Sequence, residues 1–312
     1  MRKHDISSHS GIYYNLRLNY NSCTVLESSV TDCSTPSTEL TDLHSLTKSM
    51  NFISCKWRSC DTGGAGAALH CTGSDTVLTI KKCSFISCSA DHEGGAIHTS
   101  SIHTLDVKES FFYKCSTSTT GNDGGSGAIK IQGIQHTLSL LQTDFISCIS
   151  KASGGASIIQ GCSSSEKGSV IRNCRYIDCN ATDTSPDGGA VWIRSNSALL
   201  AVSSCHFILC TVSGSGGDGG GGVDYWLPSY ADDDYAVSYC LFHKNDAVGL
   251  PGKDISLLYS QSNPIFHSLT TSPGENRVSP QHWDEGKKQD DWLPLVLLLH
   301  VSAKSTNLSR IK

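Results

Sequence analysis

The chain has 312 residues, with 29 glycines, 15 cysteines, 17% charged and 38% hydrophobic residues, and a formal net charge of −5. This balance supplies enough apolar mass for a core, so the chain is not intrinsically disordered. Lys and Arg are outnumbered by Asp and Glu and scattered, which leaves no basic footprint for nucleic acid or anionic lipid.

Residues 1–49 begin Met1-Arg2-Lys3-His4-Asp5, with no apolar run behind the charges of the kind a signal peptide shows. Fragments such as Leu16/Leu18 and Cys23-Thr24-Val25 predict a degenerate coil or an N-terminal cap there. From residue 50 to 260 one pattern recurs. An apolar pair two apart is followed by Cys, Ser or Thr, then an aromatic, then Cys or Asn. The copies are Leu78/Ile80/Cys83/Phe85/Cys88, Leu105/Val107/Ser110/Phe112/Cys115 and Leu138/Leu140/Thr143/Phe145/Cys148. Ser169/Ile171/Cys174/Tyr176/Cys179, Leu200/Val202/Cys205/Phe207/Cys210 and Tyr235/Val237/Cys240/Phe242/Asn245 complete the series, with a truncated forerunner at Phe52-Ile53-Ser54-Cys55. The aromatics fall 33, 27, 33, 31, 31 and 35 residues apart. A period of this size marks a solenoid of stacked supersecondary units.

Spacing of two within each pair places both side chains on one face of a strand, and no helical 3-4-7 pattern competes. A further strand follows glycine-led segments such as Gly94-Gly95-Ala96-Ile97 and Gly188-Gly189-Ala190-Val191. The predicted fold is therefore all-β: a right-handed, single-stranded parallel β-helix of seven or eight coils. Each coil has about 31 residues and three short strands, and the rod is on the order of 35 Å long. Its interior ladder comprises Phe52, Phe85, Phe112, Phe145, Tyr176, Phe207 and Phe242, beside Cys55, Cys88, Cys115, Cys148, Cys179, Cys210 and Asn245.

The cysteines read as small buried hydrophobes stacked coil upon coil. The alternatives are metal ligation by the C-x4-C pairs and disulfides between neighbouring coils, such as Cys88–Cys115 or Cys179–Cys210. Glu93, Asp123, Asp187 and Asp218 each precede a glycine pair. Stacked carboxylates repel unless a cation intervenes, so the column is either solvated loop or a weak Ca2+ site. His98, Lys130, Ile159, Trp192 and Asp224 take the outward places of the glycine-led strands, where Trp192 is a candidate ligand contact for an apolar sugar face. Asn180 and Asn307 begin N-x-S/T sequons, the former expected in a surface loop. No catalytic motif is found: neither H-E-x-x-H nor G-x-S-x-G occurs, and Gly214–Gly222 lacks the Lys-Ser/Thr of a phosphate loop. Residues 261–312 read as an irregular tail. Its apolar segment Trp292–Leu299 is far shorter than the ~20 residues a membrane span needs.

Gly94–Ile97 and Gly188–Val191, alternating with Phe85/Cys88, Phe145/Cys148, Phe207/Cys210 and Phe242/Asn245, resemble the repeats of polymorphic outer membrane proteins. They are also similar to protist parallel β-helix surface proteins of the pectin-lyase-like fold. The resemblance implies a non-enzymatic, extracellular or cell-surface protein for adhesion or display. Its implied partner is a host or neighbouring-cell surface, through carbohydrate or protein; beyond the weak Ca2+ candidates, the residues suggest no cofactor. The likeness to pectin and pectate lyases implies the alternative, cleavage of uronic-acid polymers on the loop face near Glu93, Asp123, Asp187 and Asp218.

Overall fold

A computed structural model of the chain describes residues 49–120, 124–162, 169–183, 186–194, 200–214, 219–226, 235–248 and 252–259. It also describes residue 269 and short strands at 22–26, 29–31, 39–40, 265–267 and 278–282. Among these residues there is no helix, and hence none long and apolar enough to cross a membrane. The chain winds as a parallel β-solenoid. One coil shows the plan: Val77–Lys81 on face 1, Ser84–Ile86 on face 2, Ser89–Ala90 on face 3 and Ile97–Ser100 on face 4. Each strand pairs in parallel with its counterparts in the coils above and below, giving sheets of nine, eight, seven and nine strands. Face 3 is one strand per coil more than the sequence pattern predicts. Its two- or three-residue strands are too short to carry a readable period.

The ladder extends past both ends of the 50–260 region. Ser22–Leu26 pairs with Ser49–Ile53, and Val278–His282 pairs with Ile255–Tyr259. The residues of 1–49 and 261–312 outside these strands and Leu269, including Trp292–Leu299 and Asn307, lie outside the described part.

Alternation sets what the interior contains. On face 1 Leu78 and Ile80 point inward between half-exposed Val77, Thr79 and Lys81. From the Lys56–Arg58 strand onward, face 2 contributes one inward residue per coil, and it is aromatic. Trp57, Phe85, Phe112, Phe145, Tyr176, Phe207 and Phe242 stack with ring centroids 4.6–4.9 Å apart and planes within 10°. The separation matches the rise from strand to strand, so the backbone ladder spaces the rings in the parallel geometry of stacked aromatics. Full burial of each such side chain stabilises by roughly 2–3 kcal/mol.

Phe52 is not the first member of this pile. It pairs with Ile80 on face 1 and meets Trp57 edge-on at 5.5 Å. The first copy of the repeat is therefore Met50/Phe52/Cys55/Trp57/Cys60, complete, with Trp in the aromatic place. Phe-Ile-Ser-Cys imitates the later Phe-x-x-Cys, which shifts the sequence reading by half a pattern. Cys55 accordingly belongs with Cys83, and Cys60 with Cys88.

Two corners per coil are made by an αL residue followed by a short polar or thiol side chain. Ser54, Lys82, Glu109, Gln142, Asn173, Ser204 and Tyr239 form one file and Ser59, Ser87, Lys114, Ser147, Asp178, Leu209 and Lys244 the other, all with φ of 49–56°. That conformation costs a non-glycine residue about 1 kcal/mol. It persists because each αL amide donates to the next coil: Ser54 N–H to Lys81 O at 2.9 Å, Asp178 N–H to Ile208 O at 2.9 Å. The hydrogen-bond ladder thus continues around the bend.

The glycine-led turn into face 4 is tighter. A Cβ on Gly155 would lie 2.1 Å from Gly189 O and 2.5 Å from Asn180 N, both backbone atoms that cannot step aside. Gly155→Ala is expected to cost about 3 kcal/mol or more. Gly63→Ala, whose Cβ meets nothing closer than Asp91 Oδ2 at 3.8 Å, should stay within about 0.5 kcal/mol. Paired thermal melts check this. Equal melting temperatures would contradict the close coil contact.

Candidate functional site

The second residue of each face 4 strand points away from the interior, yet the column is covered. His70, His98, Lys130, Ile158, Trp192, Asp224 and Ser256 stand in register across seven coils. All but half-buried His70 are under 7% exposed. Ile159, expected in this column, pairs instead with Ile131 and Ile193 and faces inward. Ser157 replaces the usual apolar residue at the strand start, and this displaces the sequence alignment by one.

Within this layer three ionisable groups converge. Glu93, on the loop before the Ile97–Ser100 strand, accepts a hydrogen bond from Lys130 Nζ at 2.5 Å. Its other oxygen lies 3.1 Å from His98 Nε2. Lys130, 1% exposed, also donates to Gly124 O at 3.2 Å. The His70 ring tilts against His98, with centroids 4.9 Å apart. Burial lowers the His98 pKa from 6.5 to about 4, Glu93 pulling the other way and His70 and Lys130 adding to the fall. His98 is therefore a neutral imidazole at neutral pH, beside a carboxylate and an ammonium. A carboxylate and a neutral imidazole are a general acid–base pair in chemical type. Glu93, His98 and Lys130 are each visible in the sequence. Their convergence is not, because Glu93 and Lys130 are 37 residues apart and meet only through the coil register. His70 was missed, although Gly66-Ala67-Ala68-Leu69-His70 aligns with Gly94-Gly95-Ala96-Ile97-His98.

Of the acidic column, Glu93 and Asp187 lie among the described residues. Asp187 bridges Gly219 on one side, and its N–H donates to Ser153 Oγ at 3.0 Å on the other. Both oxygens of Glu93 face His98 and Lys130. Asp123 and Asp218 lie outside the described residues, among which no three His, Cys, Asp or Glu side chains converge as metal ligands.

Trp192 is 3% exposed, covered rather than presented as a platform. Half-buried Trp226, on the next coil, carries Arg194 over its ring at 4.3 Å. Asn180 lies on the Asn180–Thr182 strand of face 3 rather than in a loop. Thr182 Oγ1 of the same sequon donates to Ser150 O at 3.4 Å.

The thirteen cysteines from Cys55 to Cys240 are buried thiols. Eleven of them, and Ser110, Thr143 and Asn245, occupy the two corner files and perform one task. Cys83 Sγ lies 3.3 Å from Lys81 O and 3.4 Å from Phe52 O. Ser110 Oγ donates to Lys108 O at 2.8 Å, Thr143 Oγ1 to Leu141 O at 3.0 Å, and Asn245 Nδ2 to Phe207 O at 3.0 Å. Each corner needs a compact donor for carbonyls turned inward by the αL residue, and any of these four residue types supplies it. Burial raises the thiol pKa of Cys71 and of Cys162 to about 12, which suppresses their nucleophilic form.

No protein-family model, curated protein or solved structure shows a significant match to this chain.

Two outcomes follow from the corner and the cluster. In urea titrations Cys83→Ser, which keeps a donor, should remain within about 0.5 kcal/mol of wild type, whereas Cys83→Val should cost about 1–2 kcal/mol. Glu93→Gln removes a carboxylate that pairs with buried Lys130 and should lose about 2 kcal/mol, discounted because the carboxylate is 30% exposed. Lys130→Met should lose less. The reverse order would show that Glu93 is not the partner that stabilises Lys130.

Proposed function

We propose that this chain is a non-enzymatic β-solenoid of the extracellular or cell-surface kind, working as a rigid rod for adhesion or display. The observation that carries the reading is the contrast between a repeated interior and a varied exterior. From Trp57 to Phe242 every coil fills the face 2 interior with an aromatic. The outward place one residue before it holds, in turn, Lys56, Ser84, Phe111, Asp144, Arg175, His206 and Leu241. Such a scaffold fixes the spacing of surface groups and leaves their identity free to vary, as recognition of a partner surface requires. Likeness of the Gly-Gly-Ala-Ile and Phe-x-x-Cys/Asn units to polymorphic outer membrane protein repeats supports the same reading. Burial of the thiols from Cys55 to Cys240 fits an oxidising exterior, since none of these is offered to oxidants.

One observation favours a second reading, polysaccharide cleavage on the loops of face 4. It is Glu93 held beside neutral His98 and buried Lys130.

Purified protein applied to intact cells and to a glycan array separates the two. Adhesion predicts saturable binding without product formation, unchanged in Glu93→Gln. Cleavage of a uronate polymer, abolished in Glu93→Gln, would replace the first reading by the second. Absence of both binding and cleavage would remove both.

A further inference from the structure

Alternation on face 2 leaves two outward columns beside the buried rings, and one of them is apolar where an outward strand face is usually polar. Ile86, Tyr113, Ile146, Ile177 and Ile208 follow one another in register through successive coils, each half-exposed. Exposed Arg58 and His243 bound the run at its two ends. At the same height the middle outward column of face 1 reads Thr79, Asp106 and Ser139. The core does not need these isoleucines, because their strands already bury an aromatic on the other side.

The stripe is broad and close to flat. The Phe111 ring lies beside Tyr113, with centroids 6.0 Å apart and planes within 11°. Leu209 and Ile149 flank the stripe with 47% and 46% of their surfaces exposed. Planes of the buried rings in successive coils differ by 10° or less, so face 2 twists little along the rod. A second flat sheet can therefore meet it along its length. A continuous exposed apolar patch with polar residues at its rim marks a protein interface.

The charges beside the stripe select the partner. In the other outward column Arg175 Nε donates to Asp144 Oδ1 at 2.7 Å, and its Nη2 donates to Oδ2. This pair stands at mid-stripe, on the strands of Ile146 and Ile177. Consider two copies with rods antiparallel, related by a dyad that runs along the strands between these two coils. Asp144 of each copy then stands opposite Arg175 of the second copy, as an isologous contact requires. The same register lays Ile146 on Ile177 and Tyr113 on Ile208 of the second copy. A slip of one coil sets Asp144 against Asp144, or Arg175 against Arg175. A parallel pair covers both charges with isoleucine. Like charges and desolvated unpaired charges both oppose association.

We propose that face 2 is a homotypic docking surface: a second copy of this chain packs on it antiparallel, burying the Ile86–Ile208 stripe and interlocking the two Asp144–Arg175 pairs at the centre.

The proposal stands on face 2 alone, independent of the adhesion and cleavage readings. The overlap runs from the coil of Phe85 to that of Phe242. At about 4.8 Å per coil and about 17 Å across, it covers roughly 1,000 Å² over both copies. That is the low end for a specific interface, so the dimer forms and dissociates with concentration.

Sedimentation equilibrium of the full chain tests this. The average mass should rise from one copy towards two between about 1 and 500 μM. Ile177→Lys, at an outward place where the circular dichroism should not change, should weaken association about tenfold or more. Thr79→Lys on face 1 should leave it unaltered. If Ile177→Lys does not fold, a charge series serves: Asp144→Arg should weaken the dimer, and Asp144→Arg with Arg175→Asp should restore it. Orientation is read by placing benzoylphenylalanine at Tyr113 and mixing light with isotopically heavy copies. Cross-links between light and heavy chains should reach the peptide that holds Ile208. A chain that stays monomeric across the range would overturn the proposal. If covalent surface labelling then finds Ile146 and Ile177 shielded, the stripe is covered by another segment of the same chain. A dimer indifferent to these variants would overturn it too, as would cross-links that join the two Tyr113 positions to each other.

Discussion

Everything in this molecule depends on the parallel backbone ladder between successive coils, carried without interruption through the two αL corners. Parallel strands alone are common. What is specific here is that Ser54, Lys82, Glu109 and their counterparts adopt positive φ without being glycine, each donating its amide to the coil above. The conformational cost is met by a hydrogen bond that no other geometry at the bend would provide. Once the corners are fixed, the faces between them keep one register from Ser49 to Ser203. Like residues must then lie over like.

Columns are the direct consequence. A ring pile at 4.6–4.9 Å, two files of corner donors and a glycine-lined turn are three answers to one question: which side chain tolerates its own copy one coil away. Aromatics tolerate it by parallel stacking. Thiols and hydroxyls do so by turning to carbonyls of their own and the neighbouring coil. Glycine does so by having no side chain. A charge tolerates it badly, and on face 4 unlike partners, His70, His98, Lys130 and Ile158, follow one another in place of a repeated ion.

Most of this order is legible in the sequence because a fixed period repeats its own evidence. The solenoid, its coil length and the inward residues of faces 1 and 2 follow from spacing alone. The errors share a physical origin. Phe52 and Cys55 were placed half a pattern late because Trp57 stood where Phe was expected. Ile159 slips by one because Ser157 stands at the strand start where an apolar residue is usual, and local motif matching cannot see which residue the ladder finally aligns. Face 3 is held by coil-to-coil bonds rather than by side-chain alternation. The Glu93–His98–Lys130 cluster depends on three residues from two coils, a relation that exists only after folding.

If the coils are stacked in register, axial distance must grow linearly with coil number. Spin labels at solvent-facing Lys56 and at Arg175 or His206, placed four and five coils along face 2, measure this by dipolar spectroscopy. The stacked solenoid gives narrow distributions near 19 Å and 24 Å before label length is added, one strand spacing of about 4.8 Å per coil. Broad distributions, or two pairs that do not differ by one coil rise, would contradict it.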